Sequence, residues 1–205
     1  CHDQHWKLMA SSPGTMQRRI GLTGGIASGK SSVGKLLEAR GWPLLDADQF
    51  ARAVLEPGTD STQAVLQRHP SVRREHDSID RTALGQIVFA DAAERQWLNE
   101  LIHPQVRRNF ERSLHQHKNA QTVVLMIPLL FEAGLTDLCS EIWLVDCDEE
   151  QQIKRLMLRN ALTRDEAQAR ITAQWPLSQK RELADVLIDN RGTEQDLKKQ
   201  LQALE

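Results

Sequence analysis

Cysteine is scarce in this 205-residue sequence, which contains only Cys1, Cys139 and Cys147. The number is odd, and no two of them form a C-x-x-C pair. The sequence therefore supports neither a disulfide framework nor a thiolate zinc site. A reducing, cytoplasmic setting is the expectation that fits this cysteine usage.

A surplus of charge of one sign is lacking as well. The 26 basic and 28 acidic residues leave a formal net charge of −2, whereas chains that coat nucleic acid or lie on an anionic membrane are strongly basic. We therefore expect no nucleic-acid partner and no membrane partner, and any phosphate binding has to come from a local site. The oligomeric state stays open, with a monomer as the simpler expectation.

Long hydrophobic runs are also missing. The longest covers Val123 to Phe131, far short of the roughly 20 residues that cross a bilayer, and it is predicted to be a core strand. Residues 1–15 lack the apolar segment of a secretory signal, and we interpret them as a disordered tail or an addition made for expression. The rest, 16–205, has the length of a single domain.

Apolar residues change between strand-like and helix-like spacing along the chain. Strands are predicted at 18–23, 42–45, 122–127, 141–146 and 186–188, and helices at 29–40 and 49–55. Alternating strands and helices predict a three-layer α/β fold. Its five-stranded parallel sheet is covered on both faces, and ligands bind at the carboxyl ends of the strands.

Two stretches interrupt this alternation. Residues 59–120 have apolar positions at helical spacing and no convincing strand, so they are predicted to be a helical insertion. Residues 149–184 are rich in Arg and Gln and are broken by Trp175-Pro176, which predicts two helices with a mobile turn between them, a small helical lid. The core then comprises about 16–58, 121–148 and 185–205.

The segment Gly24–Ser31 matches the pattern G-x-x-x-x-G-K-[ST] at every fixed position, after a predicted strand and before a predicted helix. Its glycines let backbone N–H groups turn around an anion, and the helix adds its positive end. Lys30 is expected to reach the β- and γ-phosphates of a nucleotide, and the Ser31 hydroxyl to bind a bridging Mg²⁺ ion. The predicted nucleotide contacts are Gly24, Gly25, Ile26, Ala27, Ser28, Gly29, Lys30, Ser31 and Ser32.

A phosphate loop indicates a nucleoside triphosphate but not the acceptor. Asp46 and Asp48 follow the second predicted strand, and Arg52 comes four residues after Asp48. One carboxylate can orient and deprotonate an attacking hydroxyl. Alternatively, Asp48 caps a helix that begins at Gln49 and pairs with Arg52 along its surface. The residues by themselves leave both interpretations open.

Five motifs together resemble the dephospho-CoA kinase family. In the order typical of that family they are Leu22–Ser31, Asp46-Ala47-Asp48 with Arg52, Leu101-Ile102-His103-Pro104, Pro128-Leu129-Leu130-Phe131-Glu132 and Ile188-Asp189-Asn190. The match covers nearly the whole chain apart from its first residues. It implies a P-loop kinase fold and the ATP-dependent phosphorylation of the ribose 3′-hydroxyl of dephospho-coenzyme A, the last step of CoA biosynthesis.

The resemblance also implies roles for single residues. Asp48 is the base that takes the proton from the ribose hydroxyl, and Arg52 helps to hold the acceptor. Arg159 in the lid contacts the transferred phosphoryl group, where a planar cation suits charge spread over several oxygens. Without the family, the arginines of residues 149–184 are ordinary surface charges on solvated helices.

Further positions follow from the same resemblance. His103 and Pro104 lie in the insertion that closes over dephospho-CoA, although a lone His before Pro at a helix end is commonly structural. Asn190 lies in a turn that resembles the family's adenine-side turn.

One position departs from the family pattern. Met126 stands two residues before Pro128, where many members have an acidic residue that supports the Mg²⁺ shell. Asp46, acting through water, is a candidate to replace it. Glu132, which we also place among the substrate-binding residues, is a weaker candidate, because it also suits a role as an anchor of the loop after the strand.

Three other functions compete with this interpretation. A nucleoside monophosphate or small-metabolite kinase shares the phosphate loop, the sheet and an arginine lid, but Leu101–Pro104 favours dephospho-CoA. A GTPase-like switch would use the D-x-x-G motif Asp189–Gly192, which lies too late in the chain, and no N-K-x-D guanine reader occurs. A structural or nucleic-acid module is disfavoured by the balanced charge and the scattered tryptophans.

Overall fold

The computed structural model describes residues 16–204, so the interpretation of residues 1–15 as a tail lies outside the described residues. The strands are β1 Arg18–Gly24, β2 Leu44–Asp46, β3 Thr122–Met126, β4 Glu141–Asp146 and β5 Val186–Asp189. They form one parallel sheet in the order β2-β3-β1-β4-β5. The predicted five-stranded parallel sheet is confirmed, and the strand order places β1 at its centre.

Helices connect these strands and cover both faces of the sheet. They are α1 Lys30–Glu38, α2 Ala47–Val54, α3 Asp60–Arg68, α4 Arg81–Ala90, α5 Ala92–Gln116, α6 Glu149–Asn160, α7 Arg164–Thr172, α8 Leu177–Leu183 and α9 Glu194–Gln202. Within residues 16–204, none of them combines the length and the apolarity that spanning a bilayer requires.

The segment 149–184 contains three helices rather than the predicted two. Ala161 in the left-handed conformation ends α6, and the Thr163 hydroxyl starts α7 by accepting a hydrogen bond from the N–H of Glu166. Pro176 then starts α8. The prediction recognised only the break at Trp175-Pro176, because a capping threonine inside a polar stretch gives a weaker signal than a proline.

Alternate residues of β3 pack on opposite faces of the sheet. Val123 and Leu125 join an apolar cluster with α2 and α5, which includes Phe110. Val124 joins a second cluster with α1 and α9, which includes Val33. Period-two alternation of a buried strand thus supplies both cores of the three layers.

The helical stretch 59–120 has a small apolar core of its own. The residues of this stretch that are buried together are Val65, Leu66, Val72, Ile79, Leu84 and Leu98, and Leu55 at the end of α2 joins them. The long helix α5 joins this core to the sheet, since its second half packs on α2 through an edge-on contact of Phe50 and Phe110, with ring centroids 4.8 Å apart.

Pro104 lies inside α5, not at a helix end as expected. A proline there removes one backbone hydrogen bond. Both Pro104 and Glu100, whose carbonyl loses that bond, are exposed, so water can satisfy the carbonyl.

Candidate active site

The segment between β1 and α1 forms a tight loop at the carboxyl end of the central strand. The N–H of Ser28 donates to the carbonyl of Gly25 at 3.2 Å, and Gly29 adopts φ +96° just before α1. No described side chain caps α1, so the N–H groups of its first turn are available to an anion. The predicted phosphate loop therefore has the backbone geometry of an anion site.

Lys30 lies across this loop. Its Nζ donates to the carbonyl of Gly25 at 2.8 Å and to that of Gly24 at 3.3 Å. Burial and, to a smaller extent, the charge of the nearby Lys180 together lower the pKa of Lys30 from 10.5 to about 8. A bound polyanion would favour the charged ammonium again.

Two residues distant in sequence, Arg155 and Asn190, donate hydrogen bonds to backbone carbonyls of the loop. Arg155 of α6 donates to the carbonyls of Ala27 and Ser28, at 3.3 Å each, and to that of Asn190 at 3.0 Å. The Asn190 amide donates to the carbonyl of Ser28 at 2.7 Å. The sequence did not predict the role of Arg155, because Arg155 and Arg159 share one helix face and their spacing does not show which of them contacts the loop.

Two glutamines complete this support. Gln152 of α6 donates to the carbonyl of Ile26 at 2.8 Å, and Gln174, just after α7, accepts from the N–H of Ile26 at 3.0 Å. Neither was predicted, because residues 149–184 contain many glutamines and no sequence pattern distinguishes these two from the others. The helices of 149–184 are thus connected to the phosphate loop through its backbone.

Replacing Gly29 by alanine is expected to destabilise this loop. A β-carbon at Gly29 would collide with the amide nitrogen of Asn190, and φ +96° is a left-handed conformation, which costs an L-residue roughly 1–2 kcal/mol. Gly41→Ala is the matched control, since φ is +85° there and no described atom lies within 4 Å of the added carbon.

The measurements are the free energy of unfolding in denaturant and the Kd of ATP. We expect Gly29→Ala to lose more stability than Gly41→Ala, and only Gly29→Ala to bind ATP more weakly. Equal losses in the two variants would show that the contact with Asn190 contributes nothing.

A cleft of about 830 Å³ opens beside the loop. The structure brings Lys30, Asp48 and Arg159 together on its walls, with Ser31, Ser32 and Pro128. Arg159 is exposed on α6, where its Nε donates to the side chain of Asn160 at 2.9 Å. Three residues predicted from separate motifs therefore face one space.

Asp46, not Asp48, caps α2. The Asp46 carboxylate accepts from the N–H of Asp48 at 2.8 Å, and the helix begins at Ala47. The alternative in which Asp48 caps a helix starting at Gln49 is therefore wrong, because β2 passes directly into α2 without a connecting loop. The ion pair of Asp48 with Arg52 is also not formed among residues 16–204, and Arg52 is exposed.

Asp48 lines the cleft and remains exposed to solvent. Partial burial raises the pKa of Asp48, and the neighbouring Asp46 carboxylate raises it further. Lys30 and Arg52 act in the opposite direction. A carboxylate with a raised pKa, beside a phosphate loop, is a candidate general base.

Glu132 does not face this cleft. Its Oε1 accepts from the backbone N–H of Trp175 at 3.2 Å and lies 2.8 Å from Nζ of Lys180. Phe131 beside it stacks on Trp175, with ring centroids 6.3 Å apart. These contacts fit the anchor interpretation of Glu132, which joins the loop after β3 to the segment around α8.

His103 and Pro104 are not brought to the cleft either. They line a separate groove of about 610 Å³ on α5, with Arg95 and Asn99. Burial lowers the pKa of His103. Their predicted role in acceptor binding stays a prediction.

Asn190 borders a hollow of about 500 Å³ on the other side of the loop, together with Ser32 and Leu36. The predicted adenine-side turn thus lies next to the phosphate loop. Its amide also supports the loop through the bond to Ser28.

Met126 lies in an apolar environment, because its sulfur packs against Gly34 of α1 beside Leu44. In the described part of the chain, no group of three His, Cys, Asp or Glu side chains could hold a metal ion. The Ser31 hydroxyl and the Asp48 carboxylate do offer oxygens to the cleft. Such a sparse set suits Mg²⁺, which commonly keeps several waters and takes further oxygens from phosphates.

Comparison with known proteins gives consistent matches. The sequence model of the dephospho-CoA kinase family matches residues 18–196. The dephospho-CoA kinase of Synechococcus sp. (strain CC9605) is 61% identical over 186 residues, which is 90% of this chain and 90% of that protein.

Solved structures agree with the sequence matches. TT1252 from Thermus thermophilus superposes with a TM-score of 0.81 at 35% identity, covering 92% of this chain and 96% of that one. The dephospho-CoA kinase from Campylobacter jejuni shares the fold, with a TM-score of 0.69 at 24% identity, covering 92% and 96% of the two chains.

Proposed function

The chain belongs to the dephospho-CoA kinase family and has its P-loop kinase fold, and we propose that its 830 Å³ cleft is where ATP phosphorylates the ribose 3′-hydroxyl of dephospho-CoA. ATP is the phosphoryl donor, and CoA formation is the last step of CoA biosynthesis. The observation that carries the site assignment is that Lys30, Asp48 and Arg159 line one space at the carboxyl end of the sheet.

The donor binds on the phosphate loop. The N–H groups of residues 24–32 and the first turn of α1 surround the β- and γ-phosphates, and the Lys30 ammonium leaves the carbonyls of Gly24 and Gly25 to bind phosphate oxygens. Ser31 would hold a Mg²⁺ ion, which supplies neutralisation of the phosphate charge. Asp46, which caps α2, is the proposed water-mediated support of that ion.

Asp48 orients the acceptor and takes its proton. As the 3′-oxygen forms a bond to the γ-phosphorus, the bond between that phosphorus and the leaving oxygen of ADP breaks, and the hydroxyl proton moves to the Asp48 carboxylate. Arg52, exposed on the same helix, holds the acceptor. Closure of residues 149–184 brings Arg159 onto the equatorial oxygens and excludes water, which favours transfer over hydrolysis.

An adjoining apolar cleft of about 710 Å³ is the proposed site for the elongated arm of dephospho-CoA. Phe89 of α4 and Leu129 line this cleft, and they are 60% and 41% exposed. Neighbouring large apolar side chains with this much exposure are typical of a ligand-binding surface. Ile26 lines both clefts. The arm can therefore run from the phosphate loop toward the helical insertion, residues 59–120.

The proposed setting is a cytoplasmic enzyme that works as a monomer, without nucleic-acid or membrane partners. The net charge of −2 and the low cysteine content support this. In the described part of the chain, Cys139 and Cys147 are free thiols.

Incubation of the protein with Mg-ATP and dephospho-CoA, followed by mass spectrometry, tests the function. We expect CoA to form, and AMP, shikimate or gluconate to remain unphosphorylated under the same conditions. Transfer to AMP in preference to dephospho-CoA would favour the nucleoside monophosphate kinase alternative. GTP preferred to ATP, without transfer, would favour a nucleotide switch.

The pH dependence of kcat/KM is expected to be bell-shaped. Asp48 must be ionised, so activity falls as the pH drops through the raised pKa of Asp48. Lys30 must be protonated to bind phosphate, so activity also falls as the pH rises through about 8. A profile measured with Asp48→Asn should lack the acidic limb, and its persistence there would assign that limb to the substrates.

A further inference from the structure

Helix α8 lies against the first residues of the phosphate loop. A β-carbon at Gly25 would come within 3.3 Å of the Leu177 side chain, so the two are in contact. Arg181 of α8 donates to both carboxylate oxygens of Asp146, at 3.0 Å from Nε and 2.8 Å from Nη2. Asp146 ends β4 directly beside β1. The helix therefore packs against the start of the phosphate loop and is held to the end of β4.

Lys180, the residue before Arg181, is completely buried there. Its side chain is 0% exposed, and its Nζ lies 2.8 Å from Oε1 of Glu132. The angles are not those of a hydrogen bond, and Nζ has no hydrogen-bond partner within the described residues. Oε2 of Glu132 has none either among residues 16–204.

A buried ion pair with unused donors and acceptors is costly. Desolvation of the two charges is offset only when the remaining hydrogen-bonding capacity is filled. A fully buried lysine that makes no hydrogen bond thus needs an explanation other than stability.

The surroundings of Lys180 suggest a ligand of opposite charge. Lys180 is close enough to Lys30 for its charge to lower the pKa of Lys30. Glu132 lies on the loop that begins at Pro128, and Pro128 lines the same cleft as Asp48 and Arg159. The Lys30 ammonium bonds to the carbonyls of the phosphate loop, and Lys180 belongs to the helix whose Leu177 contacts Gly25 of that loop. A triphosphate on the loop is a ligand that would satisfy both ammonium groups.

We propose that Lys180 is a second phosphate-binding ammonium, which rests beside Glu132 when nucleotide is absent and donates to the γ-phosphate when ATP is bound. This role rests on the proposed function. It adds no covalent step: Lys180 stabilises the charge on the transferred group together with Lys30, and returns to Glu132 after product release. The comparison of ADP with a triphosphate analogue tests the commitment to the γ-phosphate.

The test separates the γ-phosphate from the rest of the nucleotide. With Lys180→Met, the Kd of the β,γ-imido analogue of ATP should rise about tenfold, because a charge-assisted hydrogen bond is lost, whereas the Kd of ADP stays unchanged. The kcat for CoA formation should fall by roughly 10², the scale of one lost preorganised donor. Lys180→Arg, which keeps the cation, should retain most of the affinity for the imido analogue and most of the kcat.

Equal weakening of ADP and the imido analogue would overturn the proposal, because a merely structural lysine would disturb the whole loop. Unchanged binding and turnover would overturn it too. Lys198→Met is the matched control, since Lys198 also has a carboxylate partner, Glu194 at 2.7 Å, but lies exposed on α9. It should behave as wild type.

A double variant distinguishes neutralisation of Glu132 from phosphate binding. If Lys180 serves only to pair with Glu132, then Lys180→Met combined with Glu132→Gln recovers wild-type kcat; the proposal expects kcat to stay low. The double variant also provides the comparison if Lys180→Met alone does not fold, because it buries no unpaired carboxylate.

Wild-type protein that forms no CoA would contradict the proposed function, whereas active wild type with a normal Lys180→Met would contradict only the role of Lys180.

Discussion

Replacing Asp48 by asparagine should lower kcat for CoA formation by roughly 10² or more, the usual scale for a lost general base, while the Kd of ATP stays near the wild-type value. The amide keeps the shape of the side chain but cannot accept the proton of the ribose hydroxyl. The carboxylate lines the cleft without belonging to the loop and is not the cap of α2, so its loss should leave the nucleotide site and the start of α2 intact. Steady-state kinetics and calorimetry measure the two quantities.

Asp46→Asn is the comparison for this variant, because it removes the neighbouring carboxylate, the proposed water-mediated support of Mg²⁺, and keeps the proposed base. Asparagine caps a helix about as well as aspartate does, so α2 should stay capped at the same residue. Removal of the Asp46 charge, which raises the pKa of Asp48, should shift the acidic limb of the pH profile to lower pH. Normal turnover of Asp48→Asn would exclude Asp48 as the base, and a larger loss in Asp46→Asn would assign the chemistry to that carboxylate.

Replacing Lys30 by methionine should lower kcat by roughly 10²- to 10³-fold, as for other lost preorganised donors. It should also weaken ADP and ATP alike, by about tenfold or more, because the ammonium contacts the β-phosphate as well as the γ-phosphate. This pattern differs from that expected for Lys180→Met, which spares ADP. Lys35→Met, exposed on the same helix, is the control.

The fold of the Lys30 variant should survive. Burial lowers the pKa of Lys30 to about 8, so at pH 7 the folded protein pays a desolvation cost that methionine does not have. That cost is present below about pH 8 and is relieved as the pH rises toward the unfolded value of 10.5. We therefore expect Lys30→Met to melt at or above the wild-type temperature at pH 7. A lower melting temperature would mean that the contacts of Lys30 with the loop carbonyls outweigh its desolvation.

Much of the fold followed from local sequence patterns. The apolar runs predicted all five strands, and β4, Glu141–Asp146, has the predicted bounds. The observed helix boundaries differ from the predicted ones where a polar capping residue sets them. Asp46 caps α2, which begins earlier than predicted, and Thr163 caps an additional helix. These signals are single hydrogen bonds from polar residues, which periodicity does not register.

The tight turn before α1 followed from the sequence, because it depends on backbone conformation within a few consecutive residues. Gly29 and Lys30 belong to that local pattern, whereas the hydrogen bonds of Arg155 and Asn190 to the loop carbonyls come from distant residues. The family motifs likewise identified the kinase and its substrate, since they extend along most of the chain. Nothing in those motifs, however, ranks Arg155 against Arg159, which occupy the same face of α6.

Tertiary structure alone decided which distant side chains meet. The sheet order, in which β3 lies between β2 and β1, brings Asp48 to the same cleft as Lys30. The packing of α8 on the loop buries Lys180 beside Glu132, and the course of α5 puts His103 in a groove of its own. A short motif determines the conformation of its own backbone, whereas these pairings depend on how separate helices pack on the sheet, and that is set by the apolar clusters on its two faces.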